Sequence, residues 1–321
     1  MAKELKPSTA AGYSVDVTSA CERTLVTLLS AFGTLKDTLR LVGGLVPRYL
    51  TPERPPEVPA HAGTSDVDIV LNLEVLAADN EYASLSEQLK VRGFSRWVEN
   101  DVAVSWRWKL QVDERTVVVV ELLRDAGGDQ PGRAISVSDE KVSALTIKHA
   151  RIVHDWYRTK TIAAEVLGGG GMSIDEIRFA DVPAFTILKA LACDQRSENK
   201  DAADLIHVLR YAGSITEVSA MFVDRIRSKM HPEALQDGFA ALKRRFCDDE
   251  FAEGFQKTGS VSFARFQGLD DEDDQVREQR FAAGLIQAIL DEIANQLTTT
   301  SDEVSTGQPA SRQSALGEQS V

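Results

Sequence analysis

A chain of 321 residues, 43% hydrophobic and 26% charged, has the balance of a folded globular protein and is long enough for two domains. Its net charge of −13 argues against nucleic-acid binding by the whole surface, and no run approaches the ~20 apolar residues of a membrane span. Cys21, Cys193 and Cys247 are too few and too far apart for a disulfide framework or a zinc site.

Residues 1–16 are polar and read as a flexible N-terminus without the apolar run of a secretion signal, so a cytoplasmic location is expected. Val17, Cys21, Leu25, Leu28, Leu29 and Phe32 then recur at helical spacing, and Gly33 can stop that helix. TLRLV (38–42) alternates as a short strand and runs into Gly43-Gly44. LVPRYL can begin a helix with Pro47 in its first turn. The proline-rich stretch at 51–63 is a stiffened loop.

VDIVLNL (67–73) is a strand with Val67, Ile69, Leu71 and Leu73 on one face. A helix is expected over 74–91, carrying Leu76, Tyr82, Leu85 and Leu89, and strands at 94–98, 102–110 and 115–123. The last, TVVVVELL, reads as a fully buried strand, and the short connections suggest antiparallel neighbours. Residues 136–157 fit either a short strand or a helix. The glycine run at 168–171 lacks a following G-K-[ST], so it reads as a hinge or linker. Helices are expected over 173–193, 199–212, 214–229, 231–246 and 275–297, with a disordered tail from Thr298. The expected division is a flexible 1–16, an α/β core over 17–135, a mainly helical domain over 136–297 and a tail over 298–321. The fold class is α+β, a mixed sheet with flanking helices followed by an α-helical C-terminal domain.

Two aspartates, Asp66 and Asp68, open the apolar run GTSDVDIVL. Alternation projects both to one face, where two carboxylates repel unless a cation lies between them. A solvated strand end is the plain alternative. Gly43-Gly44 permits close backbone approach to a phosphate. Glu121 is the lone charge in TVVVVELL, so it either joins the two aspartates or pairs with a nearby Arg or Lys. Three converging carboxylates would suit Mg²⁺ or Mn²⁺, which take hard oxygen ligands.

Lys189, set among Ile187, Leu188, Ala190 and Leu191, either snorkels to solvent or points at an anion. Asp201 and Asp204 share a helical face, so one can orient Lys189 or Lys200, while Asp201 can equally cap its helix. Trp106-Arg107-Trp108 is either a stacking platform or a packing pair. His61, beside the Asp66–Asp68 loop, either touches a nucleotide or is an idle loop residue. Lys148, His149, Arg151 and His154 form either a basic patch or a solvated helix face.

LVGGLVPRYL followed by TSDVDIVL resembles the Gly-Gly…Asp-x-Asp signature of the nucleotidyltransferase (DNA polymerase β-like) superfamily. FTILKALACDQRSENKDAADLIHVLR (185–210) resembles the helical K…(K/R)D-x-x-D-L segment of the AbiEii abortive-infection toxin family. The likeness spans about residues 20–210, and the proline-rich insertion between Arg48 and Thr64 departs from its compact spacing. It implies a metal-dependent nucleotidyltransferase, the toxin of a toxin–antitoxin or phage-defence system. The implied partners are an NTP substrate, an RNA (tRNA) acceptor and a cognate antitoxin, with no membrane association. In that reading Asp66, Asp68 and Glu121 hold the metal, and Lys189 and Asp201 join them in catalysis. Gly43, Gly44, Arg48, Thr64, Ser65 and Lys189 bind the nucleotide. A small-molecule or protein acceptor, or a non-catalytic binding module, are the alternatives.

Overall fold

Ser14 starts the first helix: its side chain accepts from the Val17 N–H, and Asp16 in the first turn complements the helix dipole. The computed structural model describes residues 7–54, 57–72, 85–136, 142–196 and 198–306. In it α1 (Val15–Phe32) buries Cys21, Leu25, Leu28, Leu29 and Phe32, the expected stripe, and Gly33 ends it at φ +54°. The strand and short helix expected next are present as β1 (Arg40–Val42) and α2 (Pro47–Leu50).

The remaining strands of the first half are β2 (Asp66–Val70), β3 (Ser95–Glu99), β4 (Val102–Gln111) and β5 (Val117–Asp125). α3 (Leu85–Val91) is the described end of the helix expected over 74–91; Leu76 and Tyr82 lie outside the described residues. β3, β4 and β5 are antiparallel neighbours, as the short connections suggested, whereas β2 lies parallel to β5 and antiparallel to β1. β5 is buried on one face only: Val118, Val120 and Leu122 are fully enclosed, while Val119 and Glu121 opposite them are half-covered. That thinner cover marks where a cleft opens.

The sheet continues past residue 135. β7 (Ser143–Ile147) lies beside β5 with β6 (Ala134–Ser136) on its outer side, and after α4 (Ile152–Asp155) come β8 (Tyr157–Val166) and β9 (Gly171–Ala180). The path is β3-β4-β5-β2-β1-β9-β8, with β7 joining β5 and β6 joining β7. The expectations of a linker at 168–171 and a helix from 173 are therefore corrected. Gly168, Gly169 and Gly171 take φ of +77°, +85° and +72°, so the glycine run is the turn of a β-hairpin. Period-2 burial of Asp175, Ile177 and Phe179 sets the second strand, a signal hidden by outward-facing Met172 and Ile174.

The helical half starts where Asp181 caps α5 (Val182–Gln195), accepting from the Ala184 N–H at 2.9 Å with Pro183 in the first turn. It continues with α6 (Asn199–Tyr211), α7 (Ile215–Ser228), α8 (Pro232–Phe246), α9 (Thr258–Gln267) and α10 (Glu272–Thr306). A Ser214–Glu217 capping box fixes the start of α7. α10 runs nine residues beyond the helix end expected at 297, because neither Gly nor Pro falls between 298 and 306; the remainder of the expected tail lies outside the described residues. Among the described residues the architecture is a nine-stranded mixed sheet with flanking helices and a helical C-terminal region, with α1 on the sheet and α5 packed on α6 and α8. No helix among the described residues is long and apolar enough to cross a membrane.

Candidate metal centre

Sheet register brings the site together. Asp68 pairs across to Val42, the last residue of β1, and on its other side to Glu121 of β5. Asp66 lies two residues back on the same face of β2. Asp66, Asp68 and Glu121 each offer a carboxylate oxygen, and these atoms lie within 4.8 Å of one another. Three carboxylates this close repel strongly unless a cation is shared among them. The donor set is all hard oxygen, with no His or Cys, which matches Mg²⁺ or Mn²⁺.

The surroundings are built around that cluster. Thr64 Oγ1 donates to Asp66 Oδ1 at 2.7 Å, and the Cys21 thiol donates to the Thr64 carbonyl at 3.6 Å. Burial, with Asp66 and Asp68 nearby, pushes that thiol up and keeps it neutral. Arg107 donates from Nε to Glu121 Oε1 at 2.9 Å, and its Nη2 lies 2.8 Å from the same oxygen as an ion pair. Both sequence readings of Glu121 therefore hold at once, since it has an arginine partner and also belongs to the cluster. Trp108 is fully enclosed, so the packing reading describes it, and Arg107 stacks over Trp106 with 4.3 Å to the ring centroid.

Gly43 fits under Asp68 only because it has no side chain. A Cβ there would meet Asp68 Oδ2 at 1.8 Å, and φ is +74°. Gly43→Ala should displace the carboxylate, lowering divalent-cation affinity about tenfold and stability by roughly 1–3 kcal/mol. Gly33→Ala is the control: φ is +54° but the space is open, so titration calorimetry should find its cation affinity unchanged. Gly44 is equally tight, a Cβ meeting Thr64 Oγ1 at 2.6 Å and Lys200 Nζ at 2.9 Å.

Behind the turn lies a buried charge network. Asp204, fully enclosed, accepts from Lys189 Nζ at 2.8 Å, from Lys200 Nζ at 2.6 and 2.8 Å, and contacts His61 Nε2 at 2.8 Å. Lys189 also donates to Asp201 at 2.8 Å, and Arg196 donates to the same carboxylate at 2.7 Å. Burial raises Asp204, but Lys189 and Lys200 outweigh it and hold this carboxyl well below its usual range; Lys189 and Arg196 do the same for Asp201, to about 2. Burial lowers Lys189, yet Asp201 and Asp204 prevail and raise it. Lys200 is drawn below its ordinary value, chiefly by burial.

Lys189 therefore neither snorkels nor stands alone: it is clamped by the two aspartates that the helical spacing aligned. The alternative of Asp201 as cap is not realised, since Glu198 occupies the N-cap. His61 is corrected from an idle loop residue to a buried partner of Asp204. The cue was its distance of only a few residues from the aspartate pair, which the loop composition masked. Lys189, Arg196 and Asp201 line the same cleft as Gly43, Asp68 and Glu121. Ser65 is half-buried beside Asp66. Arg48 points elsewhere, to Glu22 at 3.1 Å and Glu53 at 3.3 Å, and is not among the residues lining the cleft. Lys148 and His149 precede α4 and both pair with Asp237, while His154 is drawn down to about 4, first by burial and then by Arg40, so these residues form no basic helix face.

The network sets a pH dependence. Burial lowers His207 to about 3 from 6.5 and lowers His61 as well, so both are neutral at neutral pH. Groups with depressed folded values stabilise fully above their unfolded value and lose that stabilisation as pH falls toward the folded one. The histidine part therefore fades below 6.5 toward about 3, and the Asp201 part fades below its ordinary 3.8 toward about 2. The urea midpoint should fall continuously from pH 6.5 downward, with His207→Gln flattening the upper part of the curve. A midpoint unchanged down to pH 4 contradicts this.

No protein-family model matches the chain, and no curated protein matches it. Among solved structures, the chain is similar to that of an antigenic nucleotidyltransferase-like protein from Paracoccidioides brasiliensis, at 15% identity and a TM-score of 0.37. The match covers 70% of this chain and 94% of that one. Similarity at that level transfers neither family nor activity.

Proposed function

We propose that this protein is a metal-dependent nucleotidyltransferase, moving a nucleoside monophosphate from an NTP to an acceptor hydroxyl. The observation that carries the reading is the convergence of Asp66, Asp68 and Glu121 within 4.8 Å, beneath a glycine turn that admits only a Cβ-free residue. When bound, Mg²⁺ or Mn²⁺ supplies charge neutralisation at the triphosphate and Lewis acidity toward the acceptor hydroxyl. The chain's own part is positioning. Thr64 holds Asp66, Gly43 seats Asp68, and Arg107 orients Glu121. Backbone at Gly43-Gly44 gives phosphate close access. Lys189, set by Asp201 and Asp204, presents fixed positive charge at the wall of the cleft, where charge develops on departing pyrophosphate. The motif resemblance, rather than the cluster, supports an RNA such as tRNA as acceptor, membership of the AbiEii family and a toxin role countered by an antitoxin.

The test incubates purified protein with α-labelled NTP, Mg²⁺ and separate RNA, protein and small-molecule fractions. Label should enter one fraction, RNA in this reading, and chelation should abolish it. Label in another fraction replaces the acceptor. Tight NTP binding without transfer to any fraction identifies a binding module instead.

A further inference from the structure

The cleft beside the metal centre has a second, chemically different part. Leu123 lies two residues beyond Glu121 on the same face of β5, about 6.6 Å along the strand. Leu145 of β7 pairs directly with Leu123, and Ile147 follows two residues on. Across from this strip, Phe185, Leu188 and Ala192 of α5 line the same cleft. Leu145, Ile147, Leu188 and Ala192 are only half-buried, so the strip is an open slot rather than closed core. The outer rim carries Gln195, exposed, with Lys148 and Arg196 beside the opening.

An apolar slot is a poor site for phosphates, which need cations and N–H donors; Gly43 and Lys189 lie at the metal end, and the rim cations Lys148 and Arg196 are held by Asp237 and Asp201. Two apolar walls suit a flat heteroaromatic ring, whose faces are apolar and whose edge is polar. On the nucleotidyltransferase reading, we propose that the Leu123–Leu145–Ile147 strip and the facing side of α5 take the nucleobase of the NTP, with the Gln195 amide selecting its polar edge. The offset of about one residue pair from Glu121 leaves the sugar between slot and metal. An amide carries both donor and acceptor, so Gln195 discriminates bases by hydrogen-bond pattern.

Titration calorimetry with Mg²⁺ and either NTP or inorganic tripolyphosphate separates the two ends of the cleft. The native protein should bind its preferred NTP about tenfold or more tightly than tripolyphosphate. Ala192→Trp, which fills the slot, should remove that advantage and leave tripolyphosphate affinity unchanged. Gln195→Ala, at an exposed position that tolerates the change, should compress the preference among the four NTPs to about threefold or less. Equal native affinity for NTP and tripolyphosphate overturns the slot alone. So does an unaltered NTP preference in Gln195→Ala. Lost transfer at unchanged NTP affinity in Ala192→Trp gives the slot to the acceptor and overturns the proposal. If neither ligand binds, the metal–triphosphate reading fails and the slot with it.

Discussion

On the proposed nucleotidyltransferase reading, Asp68→Asn should lose transfer by about 10³-fold or more, which is ~4 kcal/mol of transition-state stabilisation. The substitution is isosteric, so the amide still fits under Gly43, where the carboxylate oxygen sits at the position no Cβ could share. What changes is charge and donor quality. A neutral amide replaces one of three anionic oxygens in a cluster whose members lie within 4.8 Å of one another. Relief of like-charge repulsion means the variant should be as thermally stable as the native chain in chelator, or slightly more so. Added Mg²⁺ should raise the native melting temperature and leave that of Asp68→Asn unmoved. The combination of intact folding, lost transfer and lost metal stabilisation separates a ligand from a structural aspartate. Transfer within tenfold of native sinks the assignment.

Asp204→Ala has the largest expected effect on stability, about 3–5 kcal/mol. Asp204 is completely enclosed, and its two oxygens serve Lys189, Lys200 and His61 at 2.6–2.8 Å. Removing it takes the carboxylate from the buried Lys200 ammonium and the His61 imidazole and leaves Lys189 with Asp201 alone, and an unpaired buried charge costs more than the pair contributed. Asp204→Asn should cost less, since it keeps the shape and one acceptor. Adding Lys189→Met to Asp204→Asn should recover part of the loss, giving a coupling of about 1–3 kcal/mol in a double-mutant cycle read by urea unfolding. Additive costs show that the two residues do not act as a pair.

Much of the centre was legible because strand alternation is a rigid rule. Asp66 and Asp68 had to share a face, and a lone glutamate in a β-branched run had to be explained by something beside it. Helical spacing likewise aligned Asp201 with Asp204, with either Lys189 or Lys200 as the partner. Sequence-distant pairings were not legible. Nothing in the chain's order announces that Arg107 meets Glu121 across a strand pair, or that His61 reaches Asp204 across 143 residues. The β8–β9 hairpin was missed for a related reason. Its turn is made of glycines that also suit a linker, and its outward Met172 and Ile174 blur the alternation that Ile177 and Phe179 keep. Arg48, which the motif resemblance put at the nucleotide, is paired with Glu22 and Glu53 instead.

The most direct measurement is electron paramagnetic resonance of Mn²⁺ titrated into the native protein and into an Asp66→Asn/Asp68→Asn variant of matched thermal stability. The native chain should remove free Mn²⁺ from the spectrum without added NTP, which would itself chelate the ion, and the variant should leave it free. Equal Mn²⁺ uptake by both, or none by the native chain, contradicts a metal centre at Asp66, Asp68 and Glu121.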